Sequence, residues 1–257
     1  MDDTGKHYAM KNSRYRLDRW FSSQLGTDLL QSEQRLLAEW LPGLFGYHIV
    51  QMGQCPGWRL MQASRIGHKA ITAITADDAT SEAGVALVCE GEQLPLAADS
   101  VDVLLLPHVL EFERHPHQVL RECERVLISE GHVLIFTFNP WSLWGLWRLL
   151  LGWRKQPPWT GHFFSAWRLQ DWLHLLGFEI IETRRLHYRP PINHKALRDK
   201  LTFMEKLGQW CWPWLGGVHA ILARKHVISV TPIREPWRQR RRVAASGLAE
   251  PTACKDG

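Results

Sequence analysis

Hydrophobic positions change their spacing several times along this chain. Leu29, Leu30, Leu36, Leu37, Trp40 and Leu41 keep roughly helical intervals up to Pro42, predicting an N-terminal helical cap over residues 1–42. His48–Met52 then reads as a short buried strand, Gly53–Gly57 as a turn, and Trp58–Ile66 as a helix stopped by Gly67. Lys69–Thr75 and Gly84–Cys89 are the next expected strands, and the near-continuous apolar run Val101–Leu106 suits the middle of a parallel sheet. Pro116 opens a helix in which Val119, Leu120, Cys123, Val126 and Leu127 form one apolar stripe, with Arg121, Glu122, Glu124 and Arg125 outside it. Gly131–Phe138 returns as a strand, Ala166–Leu176 as a helix ending at Gly177, and Phe178–Leu186 and Val218–Lys225 as the closing strands. This alternation predicts an α/β fold over residues 43–226, with a doubly wound, mostly parallel, seven-stranded sheet.

Two segments fall outside that plan and read as insertions near the ligand end of the sheet, residues 139–165 and 187–216. The first starts with Asn139 and Pro140, a capping residue and a first-turn proline, and continues through an apolar body to Leu151. Its tryptophans, with Arg154 and Lys155 at the end, suit three roles: packing on the domain, a substrate lid, or a membrane-surface contact through residues 140–159. Beyond His226 periodicity is lost, and residues 227–257 are expected to form a flexible basic tail.

Composition narrows the class without choosing a partner. With 45% hydrophobic and 22% charged residues the chain is an ordinary globular one. The net charge of +5 lies mostly in the tail, where six basic residues face three acidic ones, so the body lacks the broad basic face of a nucleic-acid binder. Nucleic acid is not an expected partner. Five cysteines, without close metal-ligand pairs or a preceding apolar signal stretch, suggest a cytoplasmic setting, with membrane association left open by the tryptophan-rich insertion. No metal is expected.

In open α/β sheets ligands bind beyond the carboxyl ends of the strands, where a glycine turn lets the backbone approach them. Gln51-Met52-Gly53-Gln54-Cys55-Pro56-Gly57 occupies that place, but two glycines after a strand are a weak signal alone. The downstream order is more specific. Leu94-Pro95-Leu96-Ala97-Ala98-Asp99-Ser100-Val101-Asp102-Val103-Leu104 precedes His108-Val109-Leu110-Glu111, and Val119-Leu120-Arg121-Glu122 and Arg125-Val126-Leu127 precede Gly131. This block resembles the type 11 methyltransferase domain of the class I S-adenosylmethionine (SAM)-dependent superfamily. The resemblance covers about residues 40–140 and extends to the closing strand, Ile221-Leu222-Ala223-Arg224-Lys225.

The resemblance implies SAM as cofactor and methyl transfer to a small acceptor, for which a hydrophobic molecule is one candidate. It matches Gly53 and Gly57 to glycines that receive the methionine part, and it sets Glu90, Gly91 and Glu92 beside the adenine. Pro107 and His108 fall where the family lines the space between donor and acceptor, and Glu111 matches a common family glutamate. His108 and Glu111 are the candidate catalytic residues, the histidine as a general base or a hydrogen-bonding residue at a strand end. Three positions depart from the pattern: Gln51 replaces an acid, Cys55 replaces the middle glycine, and Thr75 stands where an acid usually grips the ribose. The rival readings are a methyltransferase-like scaffold without turnover and, with less support, a Rossmann dehydrogenase.

Overall fold

The computed structural model describes residue 17, residues 19–73, 85–151 and 158–191, residues 208 and 210, and residues 212–226. Helix α1 (Gln24–Trp40) is capped by the Ser23 hydroxyl, which accepts from the Gly26 N–H. Strands β1 (His48–Met52), β2 (His68–Ala73), β3 (Val85–Val88) and β4 (Val101–Pro107) follow. Next come α2 (Pro116–Val126), β5 (Leu127–Phe138), α3 (Leu143–Leu151), α4 (Ala166–Leu175), β6 (Phe178–Leu186) and β7 (Val218–Lys225).

The seven strands form one sheet in the order β3-β2-β1-β4-β5-β7-β6. Pairings from β3 to β5 are parallel, and β7 lies antiparallel between β5 and β6. The doubly wound, mostly parallel architecture expected from the hydrophobic pattern is present. Each central strand feeds two cores, because successive side chains point to opposite faces. Val103 and Leu105 of β4 join Phe136 and Phe138 of β5 under α1, whereas Leu104, Leu106, Val133 and Ile135 pack against α2 and α4.

Two local expectations need correction. No helix spans Trp58–Ile66; the segment is a series of tight turns. The N–H groups of Trp58, Gln62 and Ser64 each donate to a carbonyl only three residues back, at 3.0, 3.0 and 3.1 Å. The Ser64 hydroxyl accepts from Ile66 N–H at 3.2 Å, a local bond that competes with helix. Leu60, Met61 and Ile66 reach the core all the same, so the apolar spacing reports burial rather than helix. Strand β5 also starts at Leu127, four residues before the expected Gly131. Val101 pairs with Leu127 but Val103 with His132, a bulge accommodated by Glu130 at φ 64°.

Of the insertions, α3 forms at the expected place. Its Trp144 is fully buried, stacks on Phe138 and donates to the Arg189 carbonyl at 3.0 Å. Gly145 is required there, since any β-carbon would collide with the Pro140 carbonyl. The expected helical stretch in 187–216 is described only at residues 208 and 210, followed by a single 3-10 turn, Pro213–Leu215. The tail 227–257 lies outside the described residues. Among those described, no helix is long and apolar enough to cross a membrane.

Candidate functional site

The carboxyl end of β1 delivers Gln51 and the glycine turn. Gln51 is buried, and its Nε2 donates to the Gly53 carbonyl at 2.9 Å, while its Oε1 has no partner. Gly53 adopts φ 79° and donates its N–H to the carbonyl and hydroxyl oxygens of Thr72 on β2, at 3.1 and 3.2 Å. Gly57 adopts φ 76°, and a β-carbon there would meet no protein atom within 4 Å. The turn faces open space at Gly57, and at its near end the buried Gln51 Oε1 makes no hydrogen bond within the chain. Cys55 raises no obstacle to close approach, because its side chain points into the core with Leu60 and Met61.

Glu90, Gly91 and Glu92 follow β3 and come up to the same end of the sheet. Glu90 is exposed and bridges to Gln93, and Glu92 accepts from the His115 N–H at 3.2 Å, at the cap of α2. Gly91 is buried, and a β-carbon would stand 2.9 Å from Glu113 Oε1 and 3.4 Å from the Met52 methyl. Glu113 thus reaches from the segment after β4 to the ends of β1 and β3. Burial, with the Glu113 charge adding to it, pushes the Cys89 thiol above its ordinary pKa, against a hydrogen bond with Thr72 that acts downward. Thr75 lies outside the described residues.

Pro107 ends β4, and His108 follows it at φ 51°, a left-handed conformation uncommon outside glycine. Its support is visible. His108 Nε2 lies 2.7 Å from Glu33 Oε1, and Nδ1 lies 3.0 Å from Glu111 Oε1, all three side chains being fully or almost fully buried. Glu111 Oε1 also accepts from the Phe138 N–H at 2.8 Å, and the imidazole stacks on the Phe138 ring. Burial alone would lower the imidazole pKa, but the facing charges of Glu33 and Glu111 and their hydrogen bonds outweigh it, raising the group to about 9. His108 is accordingly an imidazolium at neutral pH, held between two carboxylates and shielded from solvent. Glu33 escaped the sequence reading although a signal was present: it is an acid inside the stripe of Leu29, Leu30, Leu36 and Leu37.

A cleft of about 470 Å³ opens beside these groups, lined by Phe112, Glu113, Arg114, His117, Arg168 and Trp172 among others. His117 packs on the Trp172 ring at 3.8 Å and Arg168 lies over it at 5.2 Å. Glu113 lines this cleft and also approaches Gly91. Arg125 braces the loop that follows Gly91 and Glu92. Its guanidinium forks onto Glu122 and donates to the Leu94 and Leu96 carbonyls, each at 3.0 Å.

Residues 50–135 match the sequence pattern of a family described as a methyltransferase domain. The chain is 32% identical over 214 residues, 83% of each protein, to YafS, an uncharacterized protein of Escherichia coli (strain K12). Among solved structures, a SAM-dependent methyltransferase of Thermotoga maritima superposes with a TM-score of 0.62 at 19% identity, covering 85% of this chain and 98% of that one. A SAM-dependent methyltransferase of Archaeoglobus fulgidus gives 0.55 at 17% identity, over 77% of this chain and 94% of its own.

Proposed function

The chain belongs to the class I SAM-dependent methyltransferases of the type 11 domain family, with SAM as its cofactor, and on that premise we propose that it methylates a small hydrophobic molecule. The observation that carries the reading is Gln51. Its unpartnered Oε1, buried beside a glycine turn open at Gly57, suits the ammonium of the methionine part of SAM. Glu90 and Gly91 would flank the adenine, with Glu92 behind them and Pro107 on the acceptor side. When bound, SAM supplies a methyl group already activated by the sulfonium. The chain's part is to hold donor and acceptor in line and to exclude water.

The cleft shared by Glu113, Phe112 and Trp172 is the proposed acceptor site, an aromatic and partly charged space whose Glu113 also approaches Gly91. His108 and Glu111 act in this reading as positioning residues. Their ion pairs fix the strained turn after β4 from which the cleft wall continues, and the ring nitrogens are engaged by carboxylates rather than turned toward an acceptor. One feature favours the second reading, a module that binds without turnover: the turn after β1 leads into further turns, so no helix N-terminus follows it.

Calorimetry with SAM, its demethylated product and NAD tests the proposal. Both sulfur nucleotides should bind and NAD should not, and Gly57→Val should abolish binding because its side chain enters the open space at the turn. Absence of heat with either sulfur nucleotide at about 1 mM, a threshold near −4 kcal/mol, would refute the cofactor assignment to this turn.

A further inference from the structure

The face outside α3 is left unexplained by the fold and by the cofactor site. Trp144 holds one side of the helix in the core, while Leu146, Leu149 and Leu150, at i, i+3 and i+4, share the other side and are 51%, 83% and 58% exposed. Trp141, Trp212 and Trp214 are also exposed, at 76%, 61% and 75%. Asn139 brings these groups together. Its Oδ1 accepts from the Trp141 N–H at 3.0 Å, and its Nδ2 donates to the carbonyls of Trp214 and Gly216 at 2.9 and 2.8 Å. Because Asn139 directly follows β5 and bonds Gly217 just before β7, this apolar edge stands at the ligand end of the sheet.

The chemistry of the edge selects its occupant. Exposed tryptophans beside leucines are the composition of a bilayer interface, where the indole ring lies at headgroup depth with its N–H hydrated. Charge agrees. In sequence, segment 139–165 contains Arg148, Arg154 and Lys155 and no acid, and segment 187–216 contains five basic residues against Asp199 and Glu205. The two segments together carry +6, more than the +5 of the whole chain, so the rest of the molecule, tail included, is slightly acidic on balance. The segments that supply the tryptophans are thus basic in sequence, a charge that suits a membrane of anionic lipid rather than a neutral one.

We propose that the edge formed by α3, Trp141, Trp212 and Trp214 seats on the surface of an anionic bilayer. The partner is the lipid headgroup and upper acyl region. Under the proposed methyltransferase reading, on which this part rests, the contact turns the acceptor side of the sheet toward the lipid, so that a hydrophobic acceptor enters from the membrane.

The test is sedimentation of the full chain with vesicles of phosphatidylcholine alone or mixed with phosphatidylglycerol, with tryptophan emission and binding of the demethylated cofactor measured on the same sample. The expected result is binding to the mixed vesicles with a blue shift. Partitioning should fall at least about tenfold in Trp141→Ser/Trp214→Ser, given the apolar area those two rings would bury. Both residues are exposed, so unchanged nucleotide binding certifies a folded variant. Arg240→Gln/Arg241→Gln/Arg242→Gln separates the tail, and it should retain the blue shift. The proposal is overturned by absence of vesicle binding in a chain that still binds the nucleotide, by binding that the tail variant loses and the tryptophan variant keeps, or by a tryptophan variant that merely converts a dimer to a monomer. Failure of nucleotide binding with intact vesicle binding would instead remove the cofactor reading and leave the bilayer contact standing.

Discussion

Raising the pH should weaken this fold through His108, and Glu33→Gln should remove most of that dependence. The imidazole is buried between Glu33 and Glu111, with its pKa raised from 6.5 to about 9. A group whose folded pKa lies above its unfolded value contributes its stability in full below the unfolded value, and the contribution disappears as pH rises through the folded one. The interval from 6.5 to about 9 corresponds to on the order of 3 kcal/mol, present at pH 6 and largely gone at pH 10. Glu33→Gln leaves the buried imidazolium facing Glu111 alone. The variant should therefore be less stable than its parent by about 2–3 kcal/mol at pH 6. Near pH 10 the difference should vanish or reverse, because the parent then buries two carboxylates around a neutral ring. Urea unfolding of both proteins across this range measures the difference, and other alkaline titrations cancel in the comparison. The His108 ring resonance gives the pKa independently. Parallel stability curves, or a ring that titrates near 6.5 in the parent, would refute the reasoning.

Two further outcomes follow from the site. Gln51→Leu removes the unpartnered buried oxygen and should weaken binding of the demethylated cofactor about tenfold or more in calorimetry, with little change in melting temperature; unchanged affinity would mean that Oε1 faces no ligand. Arg125→Lys cannot reproduce the fork on Glu122 together with the bonds to the Leu94 and Leu96 carbonyls. It should cost about 1–2 kcal/mol in urea unfolding and expose the loop near residue 94 to protease, and an unaltered digestion pattern would speak against the brace.

The sheet was legible because its strands carry their own pattern. The run from Val101 to Leu106 is apolar except for Asp102, since both faces of β4 are covered. The stretch Trp58–Ile66 misled for the opposite reason: Leu60, Met61 and Ile66 do enter the core, but from successive turns whose hydrogen bonds leave no trace in apolar spacing. Within the candidate site, residues fixed by strand ends, such as Gln51, Gly53 and Gly91, could be placed from sequence. Contacts made over long separations could not. Glu33 lies 75 positions before His108, and the path of Glu113 toward Gly91 depends on where the segment after β4 turns back. Sequence shows Cys55 at a glycine position of the pattern but not the direction of its side chain, which enters the core.

The link from Glu33 to His108 and Glu111 also constrains the order in which the chain is made. Helix α1 is synthesised early, yet the far end of its anchor is the Phe138 N–H that holds Glu111. At roughly 5–20 residues per second, about a hundred residues separate the two by some 5–20 seconds of translation. During that interval the apolar stripe of Leu29, Leu30, Leu36 and Leu37 lacks Phe136 and Phe138 of β5, which complete its core, and the anchor of Glu33 is unfinished. A nascent chain halted before β5 is complete therefore presents an incompletely docked amphipathic helix, a natural target for a holding chaperone, and its final burial waits on β5.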